Sequence, residues 1–180
     1  MEAERTLAGG TVLRLLRAED AGPLADAYSL NGAHLAPWEP QRPEGHYTEE
    51  GQKHAVAHSL GELVRGTELP LVLAQGESIV GKATLTSIVR GAFQNAHLGY
   101  WIAERVQGRG IMTEAVAAVL EIARDGLGLH RIEAATLPRN MPSQRVLAKN
   151  GFEPYGLAKA YLRIAGEWQD HRMYQRILEP

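Results

Sequence analysis

The chain of 180 residues contains no cysteine. Disulfide bonds, thiolate catalysis and cysteine-based zinc sites are therefore excluded. No apolar run approaches the roughly 20 residues that would span a bilayer. The first residues, Met-Glu-Ala-Glu-Arg, also lack the basic and apolar regions of a signal peptide. These absences favour a cytoplasmic protein that is not associated with a membrane.

The sequence also lacks an excess of charge of one sign. Lys and Arg number 19 against 21 Asp and Glu, which gives a net charge of -2 and a pI near 6.4. A nucleic-acid-binding protein would show a basic face, so direct binding to nucleic acid is not expected. Among the 7 histidines, only His54 and His58 have a spacing suited to a shared metal ion. Without an adjacent third ligand they fit a solvated helix face, and we expect no metal site.

The composition is that of a soluble globular protein. Apolar residues make up 44% of the chain and charged residues 22%, which are ordinary values. The length predicts a single domain over residues 1–180. Within it, residues 1–9 are expected to be flexible.

The most informative stretch is a glycine-rich turn between a strand and a helix. Residues 96–102 alternate in polarity like a strand, and apolar residues recur at three- and four-residue steps from Met112 to Leu127, which predicts an amphipathic helix. Gly108 and Gly110 lie between them. Backbone N–H groups at a helix start have no intrahelical partners, and together with the helix dipole they bind anions such as pyrophosphate. The alternative is a turn that needs glycine for steric reasons only.

Polar caps and glycine stops predict three further helices. They begin at Glu19, at Thr48 and at Pro138, and the last two end at Gly66 and Gly151. The helix from Thr48 has a sparse apolar face, which is expected to consist of Ala55, Leu60, Leu63 and Val64.

The segment 31–47 reads as irregular. Prolines at 37, 40 and 43 forbid a regular helix there, and long loops are often functional. Trp38 and the carboxylates of this segment are candidates for a substrate wall. Strands are predicted over residues 11–17, 71–74, 79–88, 130–137, 152–164 and 168–178. Together these elements give a mixed sheet with helices on both faces.

The pattern Arg105-x-x-Gly108-x-Gly110 resembles the acyl-CoA pyrophosphate motif of the GNAT N-acetyltransferases. It differs from the Rossmann pattern because Thr113 stands in place of a third glycine, and it lacks the Gly-Lys-Ser/Thr of a P-loop. NAD binding and nucleotide hydrolysis therefore fit less well. Segments similar to the ribosomal-protein-alanine N-acetyltransferases are Pro37–Pro40, Val89–Phe93, Leu98–Ile102, Gly110–Ala115, His130–Ala134, Asn140–Phe152 and Gly166–His171.

The resemblance covers nearly the whole chain and implies the GNAT fold, of the α/β (α+β) class. In that fold a mixed, mostly antiparallel sheet carries helices on both faces. The strand at 96–102 splays from the strand at 130–137 to admit acetyl-CoA, the implied co-substrate. Trp101 and Ile102 are implied to pair with its pantetheine arm. Arg105 and Arg109 in the glycine-rich turn could add positive charge. The pyrophosphate is implied to bind the backbone amides of Val106, Gln107, Gly108, Arg109, Gly110 and Ile111.

A second cofactor motif is implied at Asn140 and Ser143. Their position at a helix start also explains both residues, as an N-cap and a first-turn residue. Ser143 is the candidate to hydrogen-bond or protonate the departing CoA thiolate. Tyrosine does this in many GNAT enzymes, and here Tyr155 and Tyr161 are rivals, because no tyrosine follows Ser143 at two or three residues.

The amine must lose a proton before or during attack. An α-amine ordinarily has a pKa of about 7.7–8.0 against about 10.4 for lysine, so roughly a quarter of an N-terminal substrate is neutral near pH 7.4. Glu39 is the first candidate for base or amine anchor, and Asp170 is the second. Each has a structural alternative. Glu39 could cap a nearby helix, and Asp170 could form a structural pair with His171.

The leading hypothesis is acetyl transfer from acetyl-CoA to a primary amine by direct attack in a ternary complex. The expected acceptor is the N-terminal α-amine of a protein, such as the alanine of a ribosomal protein. One alternative is a small-molecule acetyltransferase for an amino sugar, a polyamine or an antibiotic. Another is an acyl-CoA-binding or ribosome-associated module without catalysis. We expect a monomer or a homodimer.

Overall fold

One sheet of eight strands forms the centre of the computed structural model, which describes residues 3–178. The strands are β1 (Arg5–Leu7), β2 (Thr11–Leu15), β3 (Leu69–Gln75), β4 (Ser78–Val89), β5 (Asn95–Ile102), β6 (Arg131–Thr136), β7 (Glu153–Ile164) and β8 (Glu167–Ile177). Their spatial order is β1-β2-β3-β4-β5-β6-β8-β7. Every neighbouring pair is antiparallel except β5 and β6. The predicted mixed, mostly antiparallel sheet is confirmed.

Local sequence signals determine where the helices begin and end. The helices are α1 (Ala21–Leu35), α2 (Glu49–Arg65), α3 (Ile111–Glu121) and α4 (Met141–Lys149). The Thr48 hydroxyl accepts the N–H of Gly51 at the start of α2, and Gly66 ends that helix with a φ of +74°. Asn140 caps α4 by accepting the N–H of Ser143. Among the described residues, no helix is long and apolar enough to cross a bilayer.

Both faces of the sheet are covered by helices, as predicted. On one face α3 and α4 bury a core that includes Val80, Val116 and Leu147. On the other face α1 and α2 pack over β3, where Leu24 and Val72 belong to a second core. Strand β5 therefore has a core on both sides, and its edge toward β6 is the place where a ligand can enter.

Three expectations about the fold differ from the structure. Helix α1 continues to Leu35, because the prolines that break it begin only at position 37. Arg5–Leu7 pairs with β2 within the segment 1–9 that was expected to be flexible, whereas residues 1 and 2 lie outside the described residues. Val64 is 89% exposed, so its assignment to the apolar face of α2 was wrong. Val56 lies on the buried face instead.

Candidate active site

Strands β5 and β6 are hydrogen-bonded neighbours only at one end. Residues 95–97 pair with residues 131–133, and beyond them each strand follows its other neighbour. β5 continues along β4 to Ile102, whereas β6 continues along β8 to Thr136. The two strands therefore diverge into a wedge, which confirms the predicted splay.

The open edge of β5 presents the backbone groups of alternate residues. Beyond the end of β5, the N–H of Ala103 donates to the carbonyl of Val80 on β4 at 2.8 Å. Because backbone groups along a strand point alternately to its two sides, Tyr100 and Ile102 direct theirs into the wedge. Trp101 directs its own toward β4. Ile102 can thus pair with an extended ligand, whereas the backbone of Trp101 is directed toward β4 and its ring packs against Tyr28.

The turn between β5 and α3 contains a row of unused backbone N–H groups. Gly108 and Gly110 have φ values of +73° and +81°, which bring the chain into α3 with no Cβ beside the backbone. Among the described residues, no acceptor serves the N–H groups of residues 108–113. Those of Val106 and Gln107 already donate within the preceding turn. The row therefore begins two residues later than expected, and its place at the start of α3 suits an anion.

Side chains hold this turn from two directions. Arg105 donates to the side-chain oxygen of Gln75 at 3.1 Å, and Arg109 donates to the carbonyl of Arg105 at 3.0 Å. From α1, the side-chain oxygen of Asn31 accepts the N–H of Glu104 at 3.0 Å. The turn is thus fixed by its neighbours, and two guanidinium groups lie beside it.

A cavity of about 220 Å³ occupies the wedge. Its walls come from the loop between α1 and α2, from β5 and β6, from the start of α4, and from the β7–β8 hairpin. Thr136 belongs to this wall, and its buried hydroxyl has no hydrogen-bond partner among the described residues. Of the predicted site residues, the cavity brings together Glu39, Trp101, Asn140 and Ser143.

Ser143 is bonded to a tyrosine that the sequence did not indicate. The hydroxyl of Tyr100 lies 2.8 Å from Ser143 Oγ and 3.1 Å from the Ser143 carbonyl oxygen. Burial raises the pKa of Tyr100 to about 12, so the phenol keeps its proton at neutral pH. These two residues are 43 positions apart. Their pairing depends on how α4 packs against the sheet, which no local pattern reveals.

Glu39 faces the cavity from the loop between α1 and α2. Burial raises the pKa of its carboxyl group, and the positive charges of Arg42 and Lys82 partly oppose that rise. A carboxylate with a raised pKa accepts a proton at neutral pH more readily than one on the surface. The cap of α2 is Thr48, so Glu39 is not needed for that role.

Asp170 has a structural partner outside the cavity. Its carboxylate accepts the N–H of Ala160 at 2.9 Å across the β7–β8 hairpin, at a point where the strand register shifts. The wall of the cavity includes the next residue, His171, whose Nδ1 lies 3.0 Å from the Gln169 carbonyl oxygen. Asp170 thus has a structural role, but through the backbone of Ala160 rather than through the expected pair with His171.

The rival tyrosines are not among the residues that line the cavity. The hydroxyl of Tyr155 donates to Glu133 at 2.9 Å, and the ring of Tyr161 packs against His171 with centroids 5.5 Å apart. Within residues 3–178 no group of three or more His, Cys, Asp or Glu side chains could hold a metal ion.

A wedge between parallel strands, next to free N–H groups at a helix start, suits a narrow, extended ligand that carries an anionic group. Comparison with known proteins identifies the class. Residues 11–153 match the family model described as the acetyltransferase (GNAT) domain. The chain belongs to the GNAT acetyltransferase family. It is an acyl-CoA-dependent N-acetyltransferase.

Sequence similarity to known proteins extends over most of the chain. "Probable N-acetyltransferase YjcK" of Bacillus subtilis is 37% identical over 97% of this chain and 97% of its own length. "[Ribosomal protein uS5]-alanine N-acetyltransferase" of Escherichia coli is 38% identical over 89% of this chain and 84% of its own. The structure of Mycobacterium smegmatis RimJ in complex with CoA-disulfide superposes with a TM-score of 0.91 at 34% identity, covering 97% of this chain and 85% of that one.

Proposed function

We propose that this enzyme acetylates the N-terminal α-amine of a protein, by direct attack of the amine on acetyl-CoA within a ternary complex. The observation that carries the proposal is a single cavity with Ser143 on the α4 wall and Glu39 on the loop wall. A group that can assist the departing thiolate and a group that can take up the amine proton thus face the same small space. Both proton transfers are served without a metal or a cysteine.

Different residues of the wedge bind different parts of acetyl-CoA. We assign the free amides of residues 108–113, with Arg105 and Arg109, to the pyrophosphate. The backbone groups of Tyr100 and Ile102 pair with the pantetheine arm as a neighbouring strand would. A backbone N–H on this edge also stabilises the oxyanion that forms when the amine attacks the thioester carbon. Asn140 supports the site as the cap that fixes Ser143.

The modest basicity at the site suits an α-amine. Glu39 is a partly buried carboxylate whose pKa is raised by that burial, so it can accept a proton from an amine that is already partly neutral near pH 7. Lysine would be neutral in only about a thousandth of its molecules, which demands a stronger base. The cavity of about 220 Å³ also favours a small first side chain, such as alanine, at the acceptor terminus.

The proposed acceptor is a ribosomal protein, and the proposed location is therefore the cytoplasm. Similarity to an enzyme named for the alanine of ribosomal protein uS5 supports this choice. The alternatives are acetylation of a small-molecule amine and acyl-CoA binding without catalysis. Turnover measured with different amines distinguishes these functions.

Thiol release from acetyl-CoA tests the proposal. We expect turnover with peptides that begin with alanine or serine, because their α-amines are partly neutral and their side chains fit the cavity. The matched control is the same peptide with a blocked α-amine and a free lysine, which should not react. Turnover on an amino sugar or a polyamine, with none on any α-amine, would contradict the proposed acceptor. CoA binding without any turnover would favour the non-catalytic alternative.

Ser143 and Tyr100 should act as a coupled pair. Ser143→Ala should lower kcat by about 100-fold, the low end for general acid catalysis, because a thiolate is a weak base. Tyr100→Phe should lower kcat by about 10-fold. A phenol that donates to Ser143 Oγ leaves the Ser143 proton free to point toward the sulfur. In the Ser143→Ala background, Tyr100→Phe should change kcat by less than about two-fold. Steady-state rates of the four proteins measure the coupling.

Tyr155→Phe is the control for this cycle, because it removes a phenol outside the cavity and should leave kcat unchanged. Equal effects of Tyr100→Phe in both backgrounds would show that Tyr100 does not work through Ser143.

A further inference from the structure

Arg139 connects the two sides of the active site. It is an exposed residue in the short connection between β6 and α4, directly before Asn140. One guanidinium nitrogen donates to the Pro37 carbonyl at 3.1 Å, and the other donates to the side-chain oxygen of Gln169 at 2.5 Å. Its guanidinium carbon also lies 5.5 Å from the centre of the Trp38 ring. One side chain thus contacts both the loop between α1 and α2 and the β7–β8 hairpin.

The loop has a second attachment on the same hairpin. The N–H of Ala165 donates to the Glu39 carbonyl at 3.1 Å. At the hairpin turn, a Cβ on Gly166 would lie 3.0 Å from the side-chain oxygen of Gln41, and the φ of Gly166 is +87°. The Gln41 side chain of the loop therefore packs closely against the hairpin turn.

These contacts matter because the loop has no regular structure of its own in the cavity wall. Trp38 and Glu39 reach the cavity only if the backbone between residues 37 and 40 stays in place. An isolated loop of this kind moves freely, and a displacement of about 1 Å at a reacting group can lower a rate by about 100-fold. A planar guanidinium presents donors in a fixed geometry to two acceptors while its face lies near a ring, whereas an ammonium has neither the fixed geometry nor the planar face.

We propose that Arg139 is a positioning residue that holds the Glu39 loop against the β7–β8 hairpin and so fixes the amine side of the active site. It acts through Pro37 and Trp38 rather than by touching a substrate. The acyl-CoA side has separate supports, at the α3 turn and at Asn140. The inference rests on the proposed role of Glu39, but it applies to any amine that this enzyme acetylates.

Kinetics with each substrate varied in turn test the proposal. In Arg139→Ala, kcat/KM for the amine should fall by about 10- to 100-fold, while the dissociation constant of acetyl-CoA measured by calorimetry stays within about two-fold. The kcat/KM of Arg139→Lys should lie between those of the wild type and Arg139→Ala, because the ammonium keeps the charge but lacks the two-pronged donor geometry of the guanidinium. Added guanidinium ion at millimolar concentration should partly restore Arg139→Ala. Arg145→Ala, which removes an exposed arginine from α4, is the control and should match the wild type.

Because Arg139 is exposed, its variants should fold, and equal melting temperatures would verify this. The proposal is overturned if Arg139→Ala weakens acetyl-CoA binding as much as amine turnover, or if it changes neither. If the wild type acetylates a small amine instead of a peptide, the same comparison is made with that amine. The proposed acceptor would then be wrong while the role of Arg139 is still tested.

Discussion

Replacing both Gly108 and Gly110 with alanine should weaken acetyl-CoA binding by about 100-fold. Both residues have positive φ, where an alanine costs about 1–2 kcal/mol per residue. Nothing within 4 Å would meet either added Cβ, so steric contact within the protein is not the reason. The turn can relieve the strain by rotating its peptide groups, and this turns the free N–H groups away from the pyrophosphate. Each factor of ten in affinity corresponds to about 1.4 kcal/mol. Calorimetry with acetyl-CoA measures the loss.

Gly128 provides a matched control for this variant. It lies beyond the other end of α3, its φ is +60°, and an added Cβ would again meet nothing within 4 Å. Gly128→Ala should therefore lower the melting temperature through the same backbone strain and leave the dissociation constant of acetyl-CoA unchanged. An equal loss of affinity in this control, or none in the Gly108 and Gly110 variant, would show that the row of free amides does not bind acetyl-CoA.

Glu39→Gln should lower kcat/KM for the amine by about 100-fold. One acidic limb of the pH profile, at about 7.7–8.0, belongs to the α-amine itself and should remain. A second, lower limb belongs to Glu39 and should disappear. The carboxylate must be ionised to accept the amine proton. Because burial raises the pKa of Glu39, that limb should lie above the range of an ordinary glutamate, which is about 4.3. Arg42 lowers the pKa of Glu39, so Arg42→Ala should move the limb to higher pH. Rates measured between acid and neutral pH show both effects.

Other charged and titratable groups near Glu39 change its pKa or respond to its charge. Lys82 also lowers the pKa of Glu39, while the rings of Tyr28 and Tyr47 sense its negative charge. Glu44→Gln, an exposed carboxylate in the same segment, is the control and should leave the profile intact. If Glu39→Gln retains the lower limb, another group is the base.

Stability should change in the opposite direction from activity in Glu39→Gln. A carboxyl group whose folded pKa is raised binds its proton more tightly in the folded state, so stability falls as pH rises through that pKa. At neutral pH the wild type bears this penalty in full, and the glutamine variant does not. The variant should melt higher than the wild type near pH 7, and the difference should disappear below the pKa of an unfolded glutamate. Thermal melts at the two pH values measure this difference.

Short-range signals allowed much of the fold to be predicted. Thr48 and Gly66 mark the ends of α2 because capping and a left-handed stop depend on a few adjacent residues. Gly108 and Gly110 were recognisable for the same reason, and the splay of β5 from β6 followed from the resemblance that these residues support. The predicted face of α2 failed at Val64, because a sparse apolar pattern permits more than one orientation and packing chose the one that buries Val56.

Long-range contacts could not be predicted. Tyr100 reaches Ser143 from a different element, and Arg139 reaches Pro37 over 102 positions. The bond between Asp170 and the N–H of Ala160 also depends on the register shift of the β7–β8 hairpin, which the sequence does not show. The row of free amides was displaced by two residues for a local reason, because a short turn before it already used the first two N–H groups.

A crystal structure of the enzyme with CoA bound is the most direct measurement of this account. We expect the pyrophosphate on the N–H groups of residues 108–113 and the pantetheine arm along the wedge edge of β5. The sulfur should lie within hydrogen-bonding reach of Ser143 Oγ, on the side of the cavity opposite Glu39. A nucleotide bound away from the start of α3, or a sulfur directed out of the wedge, would contradict the account.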